Sequence, residues 1–341
     1  TVGAGGISYA LRTIPVVRRM AERIAATAPA AWVVNFTNPA GVVTEVMSDV
    51  LGDRVIGICD SPSGLCRRAA QAIGMNPDDV HFDYLGINHL GWLRAMHSGG
   101  VDRLPGLLAD TVALESFEEG ALFGAGWLQA LGAIPNEYLH YYYFTRELLA
   151  AGEEPGRAFV LLGQQAEFYR TAPGHPEQAA RAWSAALLAR EQTYFAENRL
   201  AVESGARPNA DPYSGGYTAV ALAVLRAVVR DQPTRLIVNT RNRGAVAGFE
   251  DKSVIEAPCL VDGHGARPEP AQPLAGHQAG LVSMVKACET EMITAALTGS
   301  RTAALRAFAF HPLVDSVTAA GRLLDAYLAA VPSLREILNR P

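Results

Sequence analysis

Trp32-Val33-Val34 runs into Asn35-Phe36-Thr37-Asn38-Pro39-Ala40-Gly41, and Val55-Ile56-Gly57-Ile58 runs into Cys59-Asp60-Ser61-Pro62. A third run, His81-Phe82-Asp83-Tyr84-Leu85-Gly86-Ile87, delivers Asn88-His89-Leu90. The reading of the fold turns on this stretch, which ends at Trp92. Each short apolar run stops at polar residues suited to chemistry. Parallel α/β sheets place ligands beyond the carboxyl ends of their strands. The expectation is that thiol, carboxylate, amides and imidazole meet in one crevice.

Outward from this stretch, Asn38-Pro39 reads as a helix opening, with Asn as N-cap and Pro at the first position. Val42, Val43, Val46, Met47 and Val50 then trace an apolar stripe. Ser61-Pro62 repeats the opening, with Ser61 as a cap, and Gly74 closes that helix. Two strand-to-helix units without a hairpin predict parallel crossovers. From Val80 the alternation predicts a switch to antiparallel pairing. Upstream, Gly3, Gly5 and Gly6 form a flexible entry to a helix from about Ile7, with Val16, Val17, Met20 and Ile24 packing one face on the sheet.

Downstream, roughly Leu104 to Ser204 reads as helical, and Gly215-Gly216-Tyr217 starts another helix through Val229. Arg235–Thr240 and Ser253–Leu260 read as strands, joined by Asn239-Thr240-Arg241-Asn242-Arg243-Gly244, a loop fit to hold an anion or simply a solvated turn. Leu281–Leu297 and Arg301–Leu338 close the chain as amphipathic helices.

A chain of 341 residues with 49% apolar content can bury a large core. The net charge of -5 and the lack of a dense Lys/Arg run argue against a nucleic-acid surface. No apolar stretch reaches membrane-spanning length. The four scattered cysteines point to a reducing, cytoplasmic setting. The opening at Thr1, without Met or signal peptide, suggests a truncated N-terminus.

Cys59 and His89 are candidate ligands for a borderline transition metal, leaving coordination positions open for substrate oxygens. Asp60 beside them suits acid or base work. A buried structural thiol and imidazole would look the same. The tyrosines Tyr138, Tyr141, Tyr142 and Tyr143 equally fit an aromatic helix face in a core.

Asn35-Phe-Thr-Asn-Pro-Ala-Gly, Gly57-Ile-Cys-Asp-Ser-Pro, Gly86-Ile-Asn-His-Leu and Ile134-Pro-Asn-Glu-Tyr-Leu-His-Tyr-Tyr together resemble glycoside hydrolase family 4, and within it the 6-phospho-β-glucosidases. The resemblance runs from Thr1 to about Val314. It implies an α/β fold: a partial Rossmann-like parallel sheet, similar to lactate and malate dehydrogenases, followed by a C-terminal α+β substrate domain. The implied division is residues 1–80, the remaining half of a dinucleotide-binding domain, and residues 81–341, a catalytic, substrate and oligomerisation domain. The family departs from two-carboxylate glycosidase chemistry.

The resemblance implies NAD and a divalent metal, manganese or another ion. NAD takes hydride from the sugar C3, a base removes the acidified C2 proton, the C1 substituent leaves, water adds and the hydride returns. It places Cys59 and His89 at the metal, Tyr138 at the base and Asp60 at the acid. Asn35, Asn38, Gly5 and Gly6 fall to the cofactor, and Asn38, Asn88 and Arg157 to the substrate. A phenol with an ordinary pKa of about 10 needs a nearby cation to serve as base. The implied substrate is a phosphorylated disaccharide or aryl phosphoglucoside, and the implied assembly a homodimer or homotetramer.

Asp60 is typical of 6-phospho-α-glucosidases, whereas the tyrosine motif is β-like and α-galactosidase relatives carry Asp at the base. The β reading is taken over these. A hydroxyacid dehydrogenase and a non-catalytic sugar-phosphate binder are the rivals from other classes, and absence of the first strand would weaken NAD binding.

Overall fold

The computed structural model describes residues 2–152, 156–172, 176–195, 198 and 216–338. Ser204 and Gly215, where two helix boundaries were expected, lie outside them. The fold is α/β, built on a nine-stranded sheet.

The first units follow the expected order. Helix α1 (Gly3–Thr27) precedes β1 (Val33–Asn35), α2 (Ala40–Leu51), β2 (Val55–Gly57) and α3 (Ser61–Ala72). β1 and β2 are parallel, with Val33 opposite Val55 and Asn35 opposite Gly57. The antiparallel switch follows, as β3 (His81–Ile87) and β4 (Leu90–Ser98) form a hairpin whose two-residue turn is Asn88-His89. His89 holds it with φ of 64°, a left-handed conformation uncommon for a non-glycine residue.

β5 (Val101–Asp102) and β6 (Ile134–Pro135) pair with β4, and a series of short helices connects them. β7 (Thr234–Arg241), β8 (Val254–Asp262) and β9 (Gly265–Pro268) complete the sheet, in the order β1-β2-β7-β8-β3-β4-β5 with β9 on β8 and β6 on β4. Among the described residues, every pairing apart from β1 with β2 is antiparallel. Cys59 and His89 therefore do not follow neighbouring parallel strands, since β7 and β8 lie between β2 and β3.

What joins them is a cross-strand row: Gly57 pairs with Asn239, Asn239 with Glu256, and Glu256 with Gly86. Cys59 leaves one end of this row and Asn88-His89 the other.

Several local expectations are corrected. Helix α1 begins at Gly3, so the glycines belong to its first turn and are not a loop. Its buried stripe is Ile7, Leu11, Ile14, Val17 and Ala21, whereas Val16 and Met20 are exposed. That stripe packs mainly on α2 and on the helix Gly276–Thr298, in one cluster with the strand residues Val33 and Val55. Asn38 does not cap α2: Pro39 occupies the cap position, and the Asn35 side chain ties the loop instead, accepting from Thr37 N and donating to Ala40 O and Thr44 Oγ1. Ser61 does not cap α3 either, because Asp60 holds that position and Ser61 Oγ donates to Glu137.

The supposed anion loop is occupied internally. Arg241 donates to Ser48 O and pairs with Asp49, Arg243 pairs with Asp53, and Asn242 donates to Val246 O and Phe249 O. Charge neutralised within the fold is not left for an external anion.

Gly57 fixes how closely α2 and β7 approach β2. A Cβ there would overlap the Thr44 hydroxyl and lie 2.8 Å from Asn239 Cβ. Gly57→Ala is expected to destabilise the protein by about 2–3 kcal/mol through overpacking. A urea titration giving an unchanged midpoint would show that the α2–β2–β7 packing has been misread.

Candidate functional site

The end of β2 carries Cys59 and Asp60 into the start of α3. Both thiol and imidazole at the expected metal positions are buried, Cys59 to 2% and His89 to 3% exposure. Cys59 Sγ lies 3.7 Å from Tyr217 Oη, and the helix Gly216–Arg230 brings that tyrosine in. Asp60 Oδ2 sits against the same helix start, 3.0 Å from where a Cβ of Gly216 would be.

The His89 ring stacks on Tyr138, with centroids 3.7 Å apart and planes at 16°. Tyr138 belongs to the 3-10 turn Glu137–Leu139, which Asn136 caps by accepting from Tyr138 N. Phe195 meets the Tyr138 ring edge-on at 5.3 Å, and Tyr194 Oη lies 3.0 Å from Tyr138 Oη. Arg157 reaches this cluster through Tyr194: its guanidinium lies 5.4 Å from the Tyr194 ring centre and also donates to Thr193 O.

Electrostatics tie Cys59 to the same cluster. Burial, then the charges of Glu256, Asp60 and Glu137, push the Cys59 thiol up, while burial and Glu137 push the Tyr138 phenol up. Tyr138 also feels Cys59 and Asp60 directly. Burial pushes His89 well down, which keeps it in the neutral, metal-ligating form.

A divalent cation suits this setting. Thiol and imidazole form a borderline donor pair, and positive charge beside three carboxyl groups would offset what now holds Cys59 protonated. Among the described residues no group of three or more His, Cys, Asp or Glu is placed to hold a metal.

Four carriers of the site went unread in the sequence. Glu256 is buried and accepts from Asn88 Nδ2 at 3.2 Å, Asn239 Nδ2 at 2.9 Å and Tyr84 Oη at 3.1 Å. Its signal was available, a lone carboxylate inside the apolar run Val254–Val261. Asn239, which the sequence placed in the strand Arg235–Thr240 and at the start of the loop after it, lies within the strand and donates to Glu256. Glu137 and Tyr194 lie beside Tyr138, and the sequence gives no sign that Tyr194 would reach it.

The remaining predicted residues lie on a second side. Gly6 lines a cavity with Pro39, Gly41, Asn88, Tyr142 and Glu289 among others. Gly5 is exposed in the same first turn of α1, whose start has no side-chain cap. An uncapped, glycine-opened helix start admits a polar group close to its amides. Asn38 Oδ1 is buried without a hydrogen-bond partner among the described residues, whereas Asn35 is committed inside the loop.

Comparison with known proteins bears on the whole chain. Residues 84–314 match the family 4 glycosyl hydrolase C-terminal domain, and residues 1–75 match family 4 glycosyl hydrolase. The chain is 30% identical over 342 residues to the probable 6-phospho-beta-glucosidase of Bacillus subtilis (strain 168), covering 97% of this chain and 72% of that protein. It is 25% identical to the 6-phospho-alpha-glucosidase of Leptotrichia buccalis, covering 97% of this chain and 73% of that protein. The solved 6-phospho-beta glucosidase from Thermotoga maritima, with manganese, NAD+ and glucose-6-phosphate, superposes with a TM-score of 0.76 at 26% identity, covering 99% of this chain and 74% of that one. No helix among the described residues is long and apolar enough to cross a membrane.

Burial raises Glu256 to about 7 despite its three donors. A carboxyl group whose folded value lies above its unfolded one contributes stability that is fully present below the unfolded value and lost as pH rises through the folded value. Glu256→Gln should therefore match the wild type near pH 4 and exceed it at pH 8 by on the order of 3 kcal/mol. Urea melts of chelator-treated protein at both pH values check this, and an equal difference at both would contradict it.

Proposed function

Because the chain belongs to the family 4 glycosyl hydrolases, we propose that it hydrolyses 6-phospho-β-glucosides by NAD-dependent oxidation, elimination, addition and reduction. The observation that carries this reading is the stack of His89 on Tyr138 within the charge field of Cys59 and Asp60. It supports reading Tyr138 as the base, with Asp60 as the acid and Cys59 and His89 as the metal ligands beside it.

Cys59 and His89 are the residues that would hold the cation, and Gly5, Gly6, Asn35 and Asn38 those on the cofactor side. Asn35 acts there by shaping the loop from within. NAD and a divalent ion, when bound, supply a hydride acceptor for the sugar C3 and positive charge for the sugar oxygens and the Tyr138 phenol.

The chain's own groups do the proton work. Tyr138 takes the proton from C2, and Asp60 gives one to the oxygen leaving C1. Asn38, Asn88 and Arg157 bind the sugar phosphate, with Arg157 anchored over Tyr194. The burial of His89, with the half-buried Tyr138 stacked on it, limits water while the unsaturated sugar is present. The substrate is a phosphorylated disaccharide or an aryl phosphoglucoside, and the working unit a homodimer or homotetramer.

Asp60 favours a second reading, a 6-phospho-α-glucosidase. The two separate in one experiment, parallel assays of aryl 6-phospho-α- and β-glucosides with NAD and Mn2+ added or withheld. Release from the β-anomer alone, needing both additions and leaving no net NADH, is the expected result. Accumulation of NADH would mark a dehydrogenase instead. Cys59→Ser should abolish metal-dependent turnover, and Tyr138→Phe should slow C2 proton exchange by about 10²-fold or more. Wild-type rates in both variants would refute the assignment.

A further inference from the structure

We infer that Glu137, acting through Tyr194, is a positioning residue for Tyr138: the chain Tyr138, Tyr194, Glu137 sets the direction of hydrogen bonding at the Tyr138 hydroxyl and takes up the proton it passes on. The inference rests on the role of Tyr138 proposed above.

The geometry is a continuous line of oxygens. Tyr138 Oη and Tyr194 Oη are 3.0 Å apart, and Tyr194 Oη donates to Glu137 Oε1 at 3.4 Å. Ser61 Oγ donates to the same carboxylate oxygen. An ionised carboxylate only accepts, so the Tyr194 hydrogen points at Glu137 and its lone pairs face Tyr138. Tyr138 must then donate to Tyr194, which turns its own lone pairs away from Tyr194. The His89 stack and the Phe195 edge hold the ring in that pose.

Glu137 is also equipped to keep a proton. Its second oxygen, Oε2, is buried and has no hydrogen-bond partner among the described residues. The charges facing Glu137 are Glu118 and Glu119 on the helix Glu118–Phe123 and Arg68 on α3. Arg68 is itself held by Glu119, so it does not neutralise both carboxylates. Burial, then Glu119 and Glu118, lift Glu137 well above the usual carboxylate range.

The step balances without any outside reactant. The C2–H bond breaks and its electron pair stays on the sugar. The proton goes to Tyr138 Oη, the Tyr138 proton to Tyr194 Oη, and the Tyr194 proton to Glu137, which becomes a carboxylic acid. Returning a proton to C2 reverses each transfer and restores the carboxylate.

Two measurements test this. In the first, C2 proton exchange and turnover are followed against pH with NAD and Mn2+ present. Wild-type exchange is expected to fall as pH drops below the range where Glu137 ionises. Glu137→Gln should lose that limb and slow exchange about 10²-fold or more, with KM moving much less than kcat. Tyr194→Phe, which deletes one oxygen, should slow exchange similarly, and Glu137→Asp should recover the limb. Wild-type profiles in Glu137→Gln and Tyr194→Phe would overturn the inference.

The second uses substrate-free protein. The infrared carbonyl band of protonated Glu137, identified by its loss in Glu137→Gln, is titrated in wild type and in Tyr194→Phe. Loss of the Tyr194 donor should move its titration to higher pH, and an unmoved band overturns the inference whatever the reaction is. Exchange missing from the wild type would instead overturn the proposed function, so the two failures are told apart.

Discussion

A carboxyl group buried in the middle of a mixed sheet is costly unless its oxygens are taken up by donors. Glu256 meets that condition with Asn88, Asn239 and Tyr84, and in doing so binds three strands and a turn together. The row Gly57, Asn239, Glu256, Gly86 is the register that follows. One end sends the chain to Cys59, the other into Asn88-His89. If the pairing slipped by one residue, Glu256 would turn to the opposite face and both ends would lose their common reference.

Around this row the three apolar clusters divide the labour. One joins α1, α2 and the C-terminal helices and holds the far side of the first strand-helix unit. The second packs the hairpin, α3 and the short helices between β5 and β6, and the partly buried tyrosines of the Tyr138 motif lie against it. The third seats the helix Gly216–Arg230 on β2, β7 and β8, and Tyr217 reaches Cys59 from it. The site thus draws on all three, so small changes in how the helices seat translate into the relative placement of thiol, carboxylate and phenol.

The polar interior is unusually acidic. Glu137, Glu118 and Glu119 cluster against Arg68, and Glu256 and Asp60 add to the field at Cys59. In a low-dielectric interior such charges raise one another's proton affinity. That field favours a cation at the thiol and imidazole, and it favours protons at the carboxyl groups beside the phenol. The hydride and proton transfers proposed above draw on both.

Sequence alone determined the two strand-helix units, the hairpin with Asn88-His89 at its turn, β7 and β8, and the family, because local periodicity and contiguous motifs report on near neighbours in the chain. It misassigned Asn38 and Ser61 as caps and left Arg241 and Arg243 open between an anion loop and a solvated turn, since a cap or a guanidinium looks the same whether its partner is local or distant. Ser61 finds Glu137 and Arg241 finds Asp49 only once the chain is folded. Tertiary structure alone decided that β7 and β8 run between β2 and β3, that Glu256 bridges them, and that Tyr194 meets Tyr138. These contacts join residues far apart in the chain, Tyr84 and Glu256 by 172 residues and Tyr138 and Tyr194 by 56, separations over which no local pattern carries information.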